Sequence, residues 1–81
     1  MEAKASDGST IRTGDMILVR EYSEWPWYLS IFSHKVKAHY ICINGMIVDQ
    51  CIPLKGNEDL CGTLINPENL YIPEYGECDE S

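Results

Sequence analysis

A single Asn-Gly pair constrains this chain most strongly. Asn44 and Gly45 stand between the runs AHYICI and MIVDQCI, both rich in β-branched and other apolar residues. Asn-Gly between two such runs is the strongest short-range signal of a β-hairpin with a two-residue turn, because both residues tolerate positive φ. Such a turn would pair Ile41 with Val48. The predicted core face of the hairpin then consists of Ile41, Ile43, Met46, Val48 and Ile52.

Other segments of the chain are also typical of strands. MILVR follows the turn signal Gly14-Asp15, and WYLSIFSHK follows Pro26. β-branched and aromatic residues dominate both runs, as strands prefer. Two shorter segments beyond the hairpin, LIN (64–66) and LYIP (70–73), are predicted as returning strands.

The segment after the hairpin predicts one helical turn. Asn57 is expected to cap a turn near residues 57–61, and Gly62 to end it. The sequence therefore predicts an all-β fold, a small SH3-like barrel of four to five short antiparallel strands with one helical turn. An OB-like barrel is the alternative.

A chain of 81 residues forms one domain. We expect a flexible N-terminus at residues 1–10, a barrel over 11–75 and a flexible acidic tail at 76–81. A core of this size is near the lower limit for stability without help from disulfides, a metal or a second copy of the chain.

The cysteines indicate that additional stability comes from a second copy of the chain rather than from disulfides or a metal. The four, at positions 42, 51, 61 and 78, form no C-x-x-C pair, and neither histidine stands beside them in a zinc-finger spacing. The chain begins MEAKASDGS without an apolar signal region, and no stretch is long enough to span a membrane. We therefore expect a cytosolic protein with free thiols, no metal, no membrane association and a homo-oligomeric state.

The charge is unevenly distributed and excludes one class of partner. The net charge is −7, yet residues 1–56 hold six acids and six bases, so the whole excess lies in residues 57–81. Duplex nucleic acid is a poor partner for such a surface, because neutralisation of phosphates supplies most of that affinity. No phosphate-binding loop, dinucleotide fingerprint or catalytic motif occurs. We expect neither enzymatic activity nor a cofactor.

The stretch EYSEWPWYLSIF is unusually rich in aromatic residues. Alternation along a strand would place Trp27 on one face, with Leu29 and Ile31, and Phe32 on the other. We expect Trp27 and Phe32 to serve the core. The alternative for the preceding loop is that it folds back and caps one end of the barrel. The rings predicted to bind a ligand are Tyr22, Trp25 and Tyr28.

A second cluster, HKVKAHY, combines two lysines with both histidines in a predicted turn. It is either an ordinary solvated turn or a phosphate-binding group placed near the stacking rings. The binding residues predicted from this cluster are Lys35, Lys37 and His39. In so small a chain, a pocket that encloses a nucleotide would form most easily between subunits.

The chain also resembles small uncharacterised proteins of bacteriophages and gut bacteria. The resemblance spans residues 14–63 and rests on GDMILVR, WYLSIFSH and, above all, QCIPLKGNEDLCGT, in which Cys61 replaces the usual second leucine. It implies a compact β domain of phage or mobile-element origin. The family has no established activity, so the resemblance implies no catalytic residues.

These observations predict a non-catalytic binding protein of phage origin that counteracts a host defence in the host cytosol. Two mechanisms compete. The protein either sequesters a small nucleotide signal in an intersubunit pocket or masks a host defence protein through the aromatic loop. An SH3-like adaptor for protein–protein interaction or a virion accessory protein is the alternative.

Overall fold

The computed structural model describes residues 1–70, and within them it confirms the all-β prediction. The strands are β1 (Glu2–Lys4), β2 (Thr10–Arg12), β3 (Met16–Arg20), β4 (Tyr28–Val36), β5 (His39–Cys42), β6 (Ile47–Val48) and β7 (Gln50–Pro53). A 3₁₀ turn at Glu58–Leu60 follows them. None of the helical segments in this part of the chain has the length and apolar character needed to cross a membrane.

Five of the strands form one sheet in the order β6-β5-β4-β3-β7, with every neighbouring pair antiparallel. Only Asp49 separates β6 from β7, so one bent segment supplies both ends of the sheet. A register irregularity between Phe32 and His34 helps β4 to curve. These features agree with a small barrel closed on itself.

The sheet is buried on both faces near β3. Ile17 and Val19 lie in the cluster inside the barrel, whereas Leu18 belongs to a second cluster on the outer face. Alternation along the strand explains this division. The outer cluster consists of Leu18, Trp27, Ile52 and Leu60.

The N-terminal segment, residues 1–10, contains strand β1 and contacts the barrel. β1 and β2 pair as a separate two-stranded sheet, and the turn between them contains the buried residues Ala5 and Ser6. The Ser6 N–H donates to the carbonyl of Cys51 at 2.7 Å, and the Cys51 N–H donates to Ser6 Oγ at 3.0 Å. These two bonds hold the N-terminal hairpin against β7. The predicted acidic tail at 76–81 lies outside the described residues.

The hairpin predicted at Asn44-Gly45 exists, but its predicted register is wrong. Ile41 pairs with Ile47 and Tyr40 with Val48. The turn is one residue longer than predicted, because the Gly45 N–H donates to the Cys42 carbonyl at 2.8 Å.

This one-residue shift exchanges the two faces of β5, since side chains alternate along a strand. Ile43 is exposed and Ile41 only partly buried, although both were predicted in the core. Tyr40 and Cys42 are buried in their place. Val48 is buried as predicted, and Met46 packs partly against the inner cluster. Ile52 is buried too, but in the outer cluster and not on the face of Val48.

The segment after β7 agrees with the prediction in part. The helical turn is present, and Gly62 follows it with a φ of 82°. The Asn57 side chain makes no capping bond and instead donates to the Pro53 carbonyl at 2.9 Å. Residues 64–66 form no strand, and residues 71–73 lie outside the described part.

Candidate recognition site

The loop of residues 21–26 joins β3 to β4 and carries two exposed rings. Tyr22 is 51% exposed and Trp25 is 42% exposed. Their ring centroids lie 5.2 Å apart at an interplanar angle of 73°, an edge-to-face arrangement that aromatic pairs prefer. The Trp25 N–H donates to the Tyr22 carbonyl at 3.0 Å. A turn of the backbone therefore fixes the spacing of the two rings.

A buried arginine holds this loop from inside the protein. Arg20, the last residue of β3, has no exposed surface. Its Nε donates to Gln50 Oε1 at 2.7 Å, and its guanidinium also donates to the carbonyl of Trp25 and to Asn66 Oδ1. Gln50 in turn donates to Ser23 Oγ at 3.0 Å. The loop is thus tied to β7 and to the segment near residue 66.

Burial lowers the pKa of Arg20, because desolvation disfavours the charged form. Arginine nevertheless remains charged in proteins. Within residues 1–70 no carboxylate forms a salt bridge with this guanidinium. The buried charge is instead compensated by neutral acceptors and by the indole face of Trp27, 4.1 Å from the guanidinium carbon.

Trp27 serves the fold, as predicted, but by a different arrangement. It is buried on the outer face of the sheet, where its indole N–H donates to the Ile65 carbonyl at 2.9 Å. Its backbone bonds to Gly62 and Thr63. Leu29 and Ile31, which alternation places on the same face, are exposed. Trp27 is buried because the segment after the 3₁₀ turn covers it.

Tyr28 and Phe32 face the interior of the barrel. Phe32 is buried there, as predicted. Tyr28 packs partly against the inner cluster, and its hydroxyl donates to the sulfur of Met46 at 3.0 Å. Burial and, to a lesser extent, the charge of Glu21 raise the pKa of Tyr28. The paired exposed rings are therefore Tyr22 and Trp25, and Tyr28 does not join them.

The basic cluster between β4 and β5 is largely engaged within the protein. Lys35 Nζ lies 4.9 Å from the centroid of the Tyr40 ring, and His39 Nδ1 lies 2.7 Å from Asp49 Oδ1. Lys37 is exposed at the tip of the turn, with a φ of 56°. Lys35 and His39 thus have partners inside the chain, whereas Lys37 projects from the turn.

The structure does not gather the six predicted binding residues into one site. The aromatic loop and the basic turn lie at opposite ends of β4. A link between them runs through the adjacent residues Asp49 and Gln50, since Asp49 contacts His39 and Gln50 contacts Ser23. Arg20, Gln50 and Asn66 were not predicted from the sequence. The available signal was a charged residue at the end of the otherwise apolar run MILVR.

Other chemistry is limited in this part of the chain. Cys42 and Cys51 are free and buried, and Cys61 is free and exposed; Cys78 lies outside the described residues. Burial strongly raises the pKa of Cys51, so its thiol is a poor nucleophile. Residues 1–70 contain no group of three side chains able to hold a metal ion.

Comparisons with protein-family models, with curated proteins and with solved structures give no significant match.

Proposed function

We propose that the protein is a non-catalytic binding protein that recognises a partner protein through the loop of residues 21–26. The observation that carries this proposal is the exposed pair Tyr22–Trp25 on a backbone that Arg20 holds from beneath. Aromatic residues are enriched at protein interfaces, and rings fixed before binding lose little conformational entropy on association.

Capture of a nucleotide is the weaker of the two mechanisms. A nucleotide site would need rings for the base and free cations for the phosphates in one place. Lys35 already contacts Tyr40, His39 contacts Asp49, and Tyr28 packs against the interior. Lys37 alone of the predicted cations projects from the turn without such a contact within residues 1–70. We therefore favour the masking of a protein.

The cellular role rests on the resemblance to small phage proteins. Small single-domain phage proteins without enzyme motifs commonly act by binding and blocking, and by this analogy we propose that the partner is a component of host defence in the cytosol. An adaptor or a virion accessory protein would use the same loop without a defence system. Both roles predict the same interface, and the identity of the partner distinguishes them.

Native mass spectrometry of the protein taken from bacterial lysate tests the mechanism. We expect the wild type to retain a partner of protein size, Trp25→Ala to lose it, and Val36→Ala, which shortens an exposed apolar residue outside the loop, to keep it. A retained ligand of a few hundred daltons, lost in Lys37→Glu but kept in Trp25→Ala, would overturn the proposal in favour of nucleotide capture.

A further inference from the structure

The exposed ring pair stands among negative charges. The loop reads Glu21-Tyr22-Ser23-Glu24-Trp25, so a glutamate directly precedes each of the two aromatic residues. Glu24 is exposed and Glu21 partly exposed. The nearest base along the chain is Arg20, whose side chain is buried beneath the loop. The accessible surface of the loop therefore carries carboxylates and aromatic faces and no cation.

The segments bonded to this loop add no positive charge. Residues 61–66, which supply the contacts to Trp27 and Arg20, read CGTLIN and are uncharged. Gln50, which holds Ser23, follows Asp49. Lys55 lies beyond Pro53, which pairs with Ile17 toward the opposite end of β3 from Arg20.

Three of the remaining bases are engaged elsewhere, and Lys37 projects from the turn at the other end of β4. Lys4 Nζ bonds to Thr10, and Arg12 pairs with Glu2 at 2.8 Å. Lys35 contacts the Tyr40 ring at the other end of β4. The aromatic loop is therefore a locally acidic surface on a body of the chain, residues 1–56, that has no net charge as a whole.

Aromatic faces flanked by carboxylates are complementary to one type of side chain. A guanidinium or ammonium group gains from the quadrupole of a ring and from charge-assisted hydrogen bonds to carboxylates. A phosphate or an acidic peptide would be repelled by the same groups. Building on the function proposed above, we propose that the partner inserts an arginine or lysine side chain at the Tyr22–Trp25 pair, with its charge paired to Glu21 and Glu24.

Peptides of defined charge test this proposal. The probe is a fluorescein-labelled peptide of four arginines separated by prolines, measured by fluorescence anisotropy against the full chain. One matched peptide carries citrulline, a neutral isostere, in place of arginine. We expect the arginine peptide to bind about tenfold more tightly than the citrulline peptide, and its affinity to fall with rising salt.

Variants of the protein separate the loop from the general acidity of the chain. We expect the double variant Glu21→Gln, Glu24→Gln to weaken binding of the arginine peptide by about tenfold. Trp25→Ala should abolish it. Asp59→Asn, which removes an exposed acid from the 3₁₀ turn, is the matched control and should leave it unchanged.

The outcomes distinguish this proposal from the proposed function. Equal binding of the arginine and citrulline peptides, both lost in Trp25→Ala, would overturn the cationic partner and leave recognition by the loop intact. Absence of binding by either peptide at millimolar concentration would also overturn the cationic partner. Binding that Asp59→Asn weakens as much as the double variant does would show non-specific attraction and overturn it as well. If Trp25→Ala still retains the protein partner in native mass spectrometry, the proposed function, recognition through the loop of residues 21–26, is itself overturned.

Discussion

Trp25 and Trp27 lie two positions apart, and their rings lie in different surroundings. The Trp25 ring contacts Tyr22 and remains 42% exposed. The Trp27 ring is 1% exposed and lies between Arg20 and the outer apolar cluster. Pro26 between them turns the chain from loop into strand. One short stretch thus supplies both a core residue and a candidate contact residue.

This difference predicts unequal effects on stability. Trp27→Ala should lower the free energy of unfolding by about 3–5 kcal/mol, because it leaves a cavity and removes the ring that faces the buried guanidinium. Trp25→Ala should change it by less than about 0.5 kcal/mol. Urea denaturation followed by circular dichroism measures both. Equal destabilisation by the two variants would place Trp25 in the core and remove the candidate site.

Because the thiol of Cys51 is buried, we expect the stability of the protein to fall at alkaline pH. Burial is the largest cause of its raised pKa. A thiol in the unfolded chain ionises near pH 8.5, whereas the folded chain keeps its proton. Above that pH the unfolded state binds fewer protons, so stability is full below about pH 8.5 and falls as the pH rises.

We expect the free energy of unfolding to fall by up to about 1.4 kcal/mol per pH unit between pH 9 and 10. Urea titrations in the presence of reductant at several pH values measure this slope. Cys51→Ala should flatten it, and Cys61→Ala, which removes an exposed thiol, should not. An unchanged slope in Cys51→Ala would assign the dependence to another group.

Among the elements, the hairpin of β5 and β6 shows what the sequence can and cannot predict. Asn44-Gly45 correctly indicates that a hairpin forms, because positive φ at Gly45 is a local requirement. The length of the loop is decided by packing, since the turn of Ile43, Asn44 and Gly45 lets Tyr40 and Cys42 enter the barrel. Both faces of this hairpin carry apolar residues, so the pattern alone does not identify the buried face, and the face predicted for β5 is the wrong one.

The observed register predicts which of two adjacent apolar residues is needed. Val48→Ala should lower the free energy of unfolding by about 2 kcal/mol, because Val48 lies in the inner cluster. Ile47→Ala should cost less than about 0.5 kcal/mol, because Ile47 is 57% exposed. Thermal and urea denaturation of both variants check this. A larger effect of Ile47→Ala than of Val48→Ala would place Ile47, rather than Val48, inside the barrel and contradict the observed arrangement of β6.

The aromatic loop was predictable in part for similar reasons. Tyr22 and Trp25 lie among polar residues before Pro26, and this local composition indicates exposure. The support beneath them joins Arg20 to residues 30 and 46 positions away, and no local pattern encodes such contacts. The burial of Trp27 depends in the same way on the distant segment near residue 63.

At the scale of the whole molecule, residues 1–70 carry an area of exposed apolar side chains on the outside of the barrel. Met16 pairs with Ile31, and the Ile43 N–H donates to the Ile31 carbonyl at 2.9 Å. All three residues are exposed, as is Leu29 two positions along β4. Contiguous exposed apolar residues of this kind mark interaction surfaces. We expect a second copy of the chain to cover this area.

Sedimentation velocity at micromolar concentration should therefore show a dimer or a larger species. Ile31→Lys should weaken self-association roughly tenfold or more, because it buries a charge in an apolar contact. Leu64→Lys introduces the same charge at an exposed residue outside this area and should not. A monomeric wild type would contradict the expected oligomer and would also exclude a binding pocket between subunits.

Closure of the barrel by one bent segment also orders the steps of folding. The hairpins β3–β4, β4–β5 and β5–β6 join neighbours in the chain, whereas β3 and β7 are brought together across a separation of 30 positions between Arg20 and Gln50. Contacts of long sequence separation form late, because the entropy of the intervening loop opposes them. The Arg20–Gln50 bond therefore belongs to the late steps. In stopped-flow refolding, we expect the loop of residues 21–26 to become protected from proteolysis only in the slowest phase. A chain whose barrel is still open would then present no ordered ring pair to a partner.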